Sequence, residues 1–428
     1  MNDISASQAT PPRIRRRQTL ALVLLVVTGV INYLDRATLA VANEYIRADL
    51  GLSLGQMGLL LSAFSWSYAL CQLPVGALVD KIGPRWLLGM GLVVWSLAQA
   101  AGGLVSTFGW FVLARIALGI GEAPQFPAAA RVVSYWFPPR SRGTPTGIFN
   151  SASPLGVALA PLCLTPLIVA TSWHWAFFVT GGLGLVAAFV WVSLYRDPVH
   201  KDMSAVERAY LEVDKAAELA PKADFAAWRA LFRHRTTWGM MLGFFGSVYL
   251  NWVYLTWLPG YLRTERHMDL AYAGLAASIP FVCGFAGALV AGWASDQVAR
   301  RAASPVSGRR KAVVVATLGM VVFTIPAALV ESNVVAVACI SIVIFLANAS
   351  SACAWSLATV AAPPSRVASL GALQNFGGFL GGALAPILTG YIAQTWSFVP
   401  ALLTGAGIAF LGAMSYLFLV VRPIPEQD

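Results

Sequence analysis

Charge is scarce in this chain. Of its 428 residues only 11% are Asp, Glu, Lys or Arg, 58% are hydrophobic, and the mean hydropathy is +0.69. Soluble domains carry about 25% charged residues, so this balance excludes a water-solvated surface and places the chain in a bilayer. Cysteine is sparse too: Cys71, Cys163, Cys283, Cys339 and Cys353 all lie in apolar segments and form no CxxC. An odd, scattered set excludes a disulfide framework and reads as small buried hydrophobes. His174, His200, His234 and His267 are far apart and lack metal-ligand spacing, so no metal site is expected. A nucleotide-binding loop is missing, which leaves primary ATP-driven chemistry without support. GIGEA at 119–123 imitates part of a dinucleotide loop, but the motif is incomplete and no strand precedes it. Neither a nucleophile–base pair nor a metal cluster stands out, so the expectation is a protein that is not an enzyme and uses no cofactor.

Apolar length is what the sequence has instead. Runs long enough to span, about 20 residues each, fall at 19–42, 55–79, 86–105, 108–130, 145–169 and 173–195, then at 237–262, 271–294, 311–330, 334–357, 368–393 and 397–421. Many of the 38 Gly and 24 Pro lie inside them, as membrane helices tolerate. The expected architecture is all-α and integral to the membrane: twelve transmembrane helices in two pseudo-symmetric six-helix bundles.

Loop charge gives the orientation. With the N-terminus in the cytoplasm, 24 of the 29 basic residues fall in cytoplasmic segments, and only Arg47, Arg263 and Arg266 on the other side. The positive-inside rule therefore puts both termini in the cytoplasm. It also accounts for the net charge of +10 without any nucleic-acid partner. RIRRR at 13–17 imitates the charged region of a signal peptide, but the run after it is long and carries Asp35 and Arg36, so an uncleaved first helix is expected.

Internal similarity divides the chain. GALVDKIGPR at 76–85 matches GWASDQVARR at 292–301, and FNSASPLGVALAP at 149–161 matches QNFGGFLGGALAP at 374–386. Such a repeat predicts two related bundles with a substrate path between them near the midplane. The divisions are a tail at 1–18, a bundle at 19–195, a cytoplasmic linker at 196–236, a second bundle at 237–421 and a tail at 422–428. The linker carries a capping-box pattern, Ser204-x-x-Glu207, ahead of a short amphipathic segment. In the first loop motif Gly76 would allow close helix contact, while Asp80 and Arg85 flank a turn made by Gly83 and Pro84. Asp296 is the second-half counterpart of Asp80, and acid and base at these ends suit a conformational gate.

Four charges escape the topology argument. Arg36 and Arg115, with Asp35 and Glu122, fall well inside expected spans. Each costs about 2.5–3.5 kcal/mol at a helix centre, so they must face a polar cavity or one another. Arg115 and Glu122 are two turns apart and share a face with Gly119, which leaves room for a ligand or a partner helix. Tyr33 and Arg36 point similarly, whereas Asp35 groups with Asn32 and serves a different partner. Arg stays protonated and grips carboxylates with a planar fork, so Arg36 and Arg115 are anion-binding candidates, with Arg36 preferred as the direct ligand. Carboxylates can change charge: a substrate anion that competes for the Arg leaves the neighbouring acid readier to protonate. Asp35 and Glu122 are thus the candidate proton carriers, and a buried ion-pair network that only fixes packing is the alternative. The second half offers amides, hydroxyls and an indole instead: Asn251, Asn348, Ser350, Ser351, Trp355, Gln374 and Asn375.

Twelve spans, the half-length repeat and the loop GALVDKIGPR resemble the major facilitator superfamily. NYLDR in the first helix, RIALGIGEAPQFPAA in the fourth and TWLPGYL in the seventh are similar to its anion:cation symporter branch, which holds bacterial hexuronate, galactonate and glucarate permeases. The resemblance implies proton-coupled uptake of an organic anion, most simply a sugar acid (hexuronate, aldonate or aldarate), by alternating access. It implies recognition and protonation at Tyr33, Asp35, Arg36, Tyr68, Arg115 and Glu122, and a cavity lined from the second half by Asn251, Trp355 and Asn375. Asn150, the repeat counterpart of Asn375, joins the binding candidates. The partners implied are the anion, the proton and the lipid of a bacterial inner membrane, for a monomer. One departure matters: the fifth helix has Asn150, Ser151 and Ser153 but no Gln at the family's sugar-contact position. That keeps symport or exchange of aromatic or small dicarboxylic acids open, as does a non-transporting sensor of transporter ancestry.

Overall fold

The computed structural model describes residues 10–138, 141–198, 203–212, 229–300, 304–363 and 366–425; within helices, some side chains, Asp80 and all of 291–300 among them, lie outside the description. Among the described residues every regular element is helical. The first half comprises α1 (Pro12–Val41), α2 (Asn43–Leu50), α3 (Leu54–Ile82), α4 (Pro84–Gly102), α5 (Phe108–Glu122), α6 (Gln125–Trp136), α7 (Gly143–Asn150), α8 (Ala152–Ala170) and α9 (Trp173–Leu194). The linker holds α10 (Ala205–Glu212). The second half comprises α11 (Arg235–Thr264), α12 (Leu270–Arg300), α13 (Pro305–Leu329), α14 (Asn333–Ala361), α15 (Val367–Thr395) and α16 (Phe398–Leu419).

Helices stand at all twelve expected positions, and seven stretches among the described residues are long and apolar enough to cross a membrane by composition alone. Local chemistry explains their ends. Ser53 starts α3 with a capping box: its hydroxyl accepts from Gln56 N at 3.1 Å, and Gln56 Oε1 accepts from Ser53 N at 2.9 Å. The box expected at Ser204 and Glu207 forms the same way, at 3.2 and 2.9 Å. Gly83, at φ 85°, makes the turn from α3 to α4, and Pro84 occupies the first turn of α4.

Two expected spans are broken. Between α5 and α6 the cause is proline: Pro127 has no N–H to offer the Ala123 carbonyl. Gln72 of α3 supplies the missing donor, its Nε2 lying 3.1 Å from that oxygen. The break at Ser151, between α7 and α8, stands three residues before Pro154, whose ring cannot pack over the carbonyl of Asn150 in a continuous helix.

The repeat in sequence is a repeat in packing. A Cβ at Gly156 would lie 2.5 Å from the Val30 carbonyl of α1, and one at its counterpart Gly381 would lie 2.5 Å from the Phe245 carbonyl of α11. Gly58 and Gly274 form a second matched pair, now between halves. Gly58 of α3 abuts the Pro386 carbonyl of α15, and Gly274 of α12 abuts the Thr165 side chain of α8.

Hydrogen bonds between the halves cluster at the end opposite the chain termini. There the Ser62 hydroxyl donates to the Ala383 carbonyl at 2.5 Å, Gly55 N donates to Gln394 Oε1 at 2.8 Å, and Arg263 pairs with Glu44 through two bonds of 2.7 and 3.2 Å. Toward the termini Gly76 differs from expectation: a Cβ there would meet nothing within 4 Å, so the close helix contact is not made. The motif's glycine has no partner helix because the halves meet at the other end.

Candidate functional site

The four intramembrane charges form one cluster inside the first half. α1 contributes Asp35 and Arg36, and the last two turns of α5 contribute Arg115 and Glu122. Relative exposures are 0% for Asp35, 7% for Arg36, 3% for Arg115 and 0% for Glu122. None of the four faces lipid.

Arg36 is the hub. Its Nε donates to Glu122 Oε2 at 2.7 Å, a charge-assisted bond in a low-dielectric setting. Three aromatic rings box the guanidinium: its carbon lies 4.7 Å from the Tyr33 centroid, 4.8 Å from Phe64 and 4.7 Å from Tyr68. Buried cation–π contacts of this kind are worth about 2 kcal/mol. Sequence spacing placed Tyr33 and Arg36 on one face, and the family resemblance added Tyr68. Phe64, one turn before Tyr68 in FSWSY, was missed because an apolar residue in an apolar helix carries no signal.

The Arg115 guanidinium carbon lies 5.3 Å from the Phe64 centroid, so both guanidiniums contact this ring. The room at Gly119 goes to a partner helix: a Cβ there would lie 2.1 Å from Ser67 Oγ and 2.6 Å from the Phe64 carbonyl of α3. That contact brings α5 against α3 and so places Arg115 and Glu122 beside the ring box.

Asp35 takes the other direction, as its 100° offset from Arg36 requires. Glu122 and Arg115 are its charged neighbours, and Thr180 of α9 and Trp95 of α4 are its polar ones. Among the described residues neither carboxyl oxygen has a hydrogen-bond partner, and the same holds for both amide atoms of Asn32, Glu122 Oε1, Arg36 Nη2, and Nε and Nη1 of Arg115. Buried polar atoms are almost always paired, so this concentration of spare donors and acceptors is unusual. The site differs from the wet pocket anticipated on sequence grounds, since the three rings and close helix packing seal it in this conformation.

The remaining binding candidates lie on other helices. Asn251 (α11) and Asn375 (α15) are half-buried, Asn150 (α7) is exposed, and Trp355 (α14) is 44% exposed. No hydrogen bond joins these four to the charges among the described residues. Gln374, beside Asn375, is fully buried with both amide atoms unpaired. The Ser350 hydroxyl is satisfied within its own bundle, 2.9 Å from Thr317 and 3.3 Å from Ser247, which removes it from the ligand candidates. Of the loop motif, Arg85 donates to the Val192 carbonyl from Nη2 at 2.9 Å, whereas the side chains of Asp80 and Asp296 lie outside the described residues.

Comparison with known proteins gives this geometry its context. The profile of the Major Facilitator Superfamily matches residues 25–307 and 271–428. The chain is 43% identical over 419 residues to the probable L-galactonate transporter of Escherichia coli K12, covering 97% of this chain and 92% of that protein. It is 34% identical over 433 residues to the D-galactonate transporter of Escherichia coli O6:H1, covering 98% of each. Among solved structures, a bacterial homolog of the human lysosomal transporter Spinster, in an inward-facing and occupied conformation, superposes with a TM-score of 0.77 over 96% of this chain and 97% of that one. At 17% identity, it supports the fold alone. With a buried cluster of two arginines and two acids in an all-helical frame and relatives of this closeness, the chain belongs to the Major Facilitator Superfamily, as a multi-pass membrane transporter of organic anions and not an enzyme.

Proposed function

We propose that the protein takes up a sugar acid together with protons, by alternating access. The observation that carries this reading is the buried Arg36–Glu122 pair at 2.7 Å beside an Asp35 whose carboxyl has no hydrogen-bond partner. A substrate carboxylate that takes the fork of Arg36 removes the counter-charge from Glu122, which then binds a proton; release of the anion restores the pair. Asp35 and Arg115 form the second acid–base couple of the cluster. Asn150, Asn251, Trp355 and Asn375 would meet the hydroxyl-bearing end of the substrate when the halves close. The names of the two galactonate-transporting relatives support an aldonate.

The halves, 19–195 and 237–421, would rock about the substrate while 196–236 tethers them, and Gly76, Asp80, Arg85 and Asp296 would gate the end bearing the termini. Loop charge supports an inner-membrane orientation with both termini cytoplasmic. The contacts at the opposite end then correspond to closure on the outer side. The test uses proteoliposomes. Glu122→Gln should abolish accumulation driven by a proton gradient and spare counterflow of galactonate. Wild-type accumulation in that variant would remove the assigned role, and failure of galactonate, galactarate and glucuronate alike to shift the melting temperature would remove the substrate class.

A further inference from the structure

A cavity of about 410 Å³ opens at the end bearing the termini, well away from the charged cluster and sharing no residue with it. Its walls come from the start of α1, the α3–α4 turn, the ends of α6 and α9, and the linker helix α10. Four guanidiniums line it: Arg13, Arg17, Arg85 and Arg196. Glu207 and Asp197 are its acids, leaving the lining with an excess of positive charge.

The arrangement of these charges is costly as it stands. Arg85 and Arg196 donate to the same acceptor, the Val192 carbonyl, at 2.9 and 2.7 Å, so two like charges converge on one neutral oxygen. Arg17 is half-buried and makes no hydrogen bond or ion pair among the described residues. Neither acid compensates. Glu207 is engaged by Arg13 at 3.8 Å and by the cap of its own helix. Asp197 is tucked against the turn at Gly83, and burial pushes its carboxyl above the ordinary range. Trp136 lines the wall, and the Tyr195 hydroxyl is buried beside Trp136 and Asp197. Trp86, 51% exposed under Arg85, supplies an aromatic flank typical of the membrane interface.

We infer that this cavity is a binding site for a phosphate group, held by Arg17, Arg85 and Arg196. A carboxylate saturates one fork, whereas three converging guanidiniums offer more donors than it can accept. A phosphate, with three acceptor oxygens and up to two charges, matches them. Such a group comes either from an anionic phospholipid headgroup or from a soluble phosphate. Because the walls belong to both the first half and α10, an occupied cavity ties the linker to that half.

The experiment uses the purified, delipidated full chain and two probes: phosphatidic acid, whose headgroup is a phosphate monoester, with bound lipid counted by native mass spectrometry, and inorganic phosphate, by calorimetry. Wild type should bind at least one of them saturably and one to one. Arg17→Glu, which breaks no hydrogen bond or ion pair among the described residues, should weaken that binding at least tenfold. Arg16→Glu, an exposed neighbour outside the cavity, should leave it unchanged. Retention of lipid without response to inorganic phosphate identifies a headgroup site, and competition of inorganic phosphate with the lipid identifies a general phosphate site. Binding of neither probe, or equal binding by Arg17→Glu and wild type, overturns the inference.

Discussion

Replacing Gly58 with Ala tests what holds the two halves together. The added Cβ would lie 2.5 Å from the Pro386 carbonyl oxygen and 3.3 Å from the Ile387 Cα. Both are backbone atoms, so no side chain can rotate away and α3 must separate from α15. Overpacking of this kind costs about 1–3 kcal/mol. The cost falls only on the state in which this end is closed, so the closed population should drop by roughly 5- to 150-fold relative to the alternative. Gly274→Ala is the internal control. Its Cβ would lie 2.6 Å from Thr165 Oγ1, an atom that can turn aside, so the shift should be smaller. Spin labels at Ala48 and Thr395, exposed residues of the two halves at this end, report the separation by pulsed electron resonance after the five native cysteines are replaced. An unchanged distance distribution for Gly58→Ala, or a larger shift for Gly274→Ala, would refute the reasoning.

Four further outcomes are expected. Glu44→Gln should loosen the same end by only about 0.5–1 kcal/mol, because the Arg263–Glu44 pair is 29% and 42% exposed; the same labels measure it, and a double-mutant cycle with Arg263→Gln isolates the pair. Arg36→Lys should weaken substrate binding at least tenfold in calorimetry, since an ammonium cannot reproduce the fork, and wild-type affinity would rule out direct carboxylate contact. Asp35→Asn should end proton-driven accumulation in proteoliposomes with little change in melting temperature, because neither carboxyl oxygen makes a hydrogen bond among the described residues. Gln72→Leu leaves the Ala123 carbonyl at the α5–α6 break unsatisfied; it should lower stability by about 1–3 kcal/mol in thermal unfolding and disturb the neighbouring Glu122.

Much of the fold was legible because bilayer physics writes itself in long apolar runs and loop charge. The half-length repeat carried more than topology: Gly156 and Gly381, matched in sequence, make the same close approach in each bundle. The breaks at Ala123–Pro124 and Ser151 were missed, although Pro127 and Pro154 mark them, because hydropathy ignores backbone hydrogen bonding. In the site, the four charges stood out by their cost in lipid. Their pairing did not. Whether Glu122 meets Arg36 or Asp35 depends on helix rotation, and that is set by the fit of Gly119 against α3. Thr180, a hydroxyl in the middle of a largely apolar helix, gave no sign that it neighbours Asp35. Arg263 was counted only as a charge of the opposite side, and its partner Glu44 is 219 residues away.

Tyr68 occupies an unusual station. One face of its ring rests near the Arg36 guanidinium, and its centroid lies 5.4 Å from that of Phe379, a residue of the other bundle. On the proposed mechanism, a tilt of one bundle against the other would drag this phenol and unroof the guanidinium, and an anion that elbows the phenol aside would push on Phe379. A single side chain would then serve as lever and lid at once, joining occupancy to posture without a relay of intermediates.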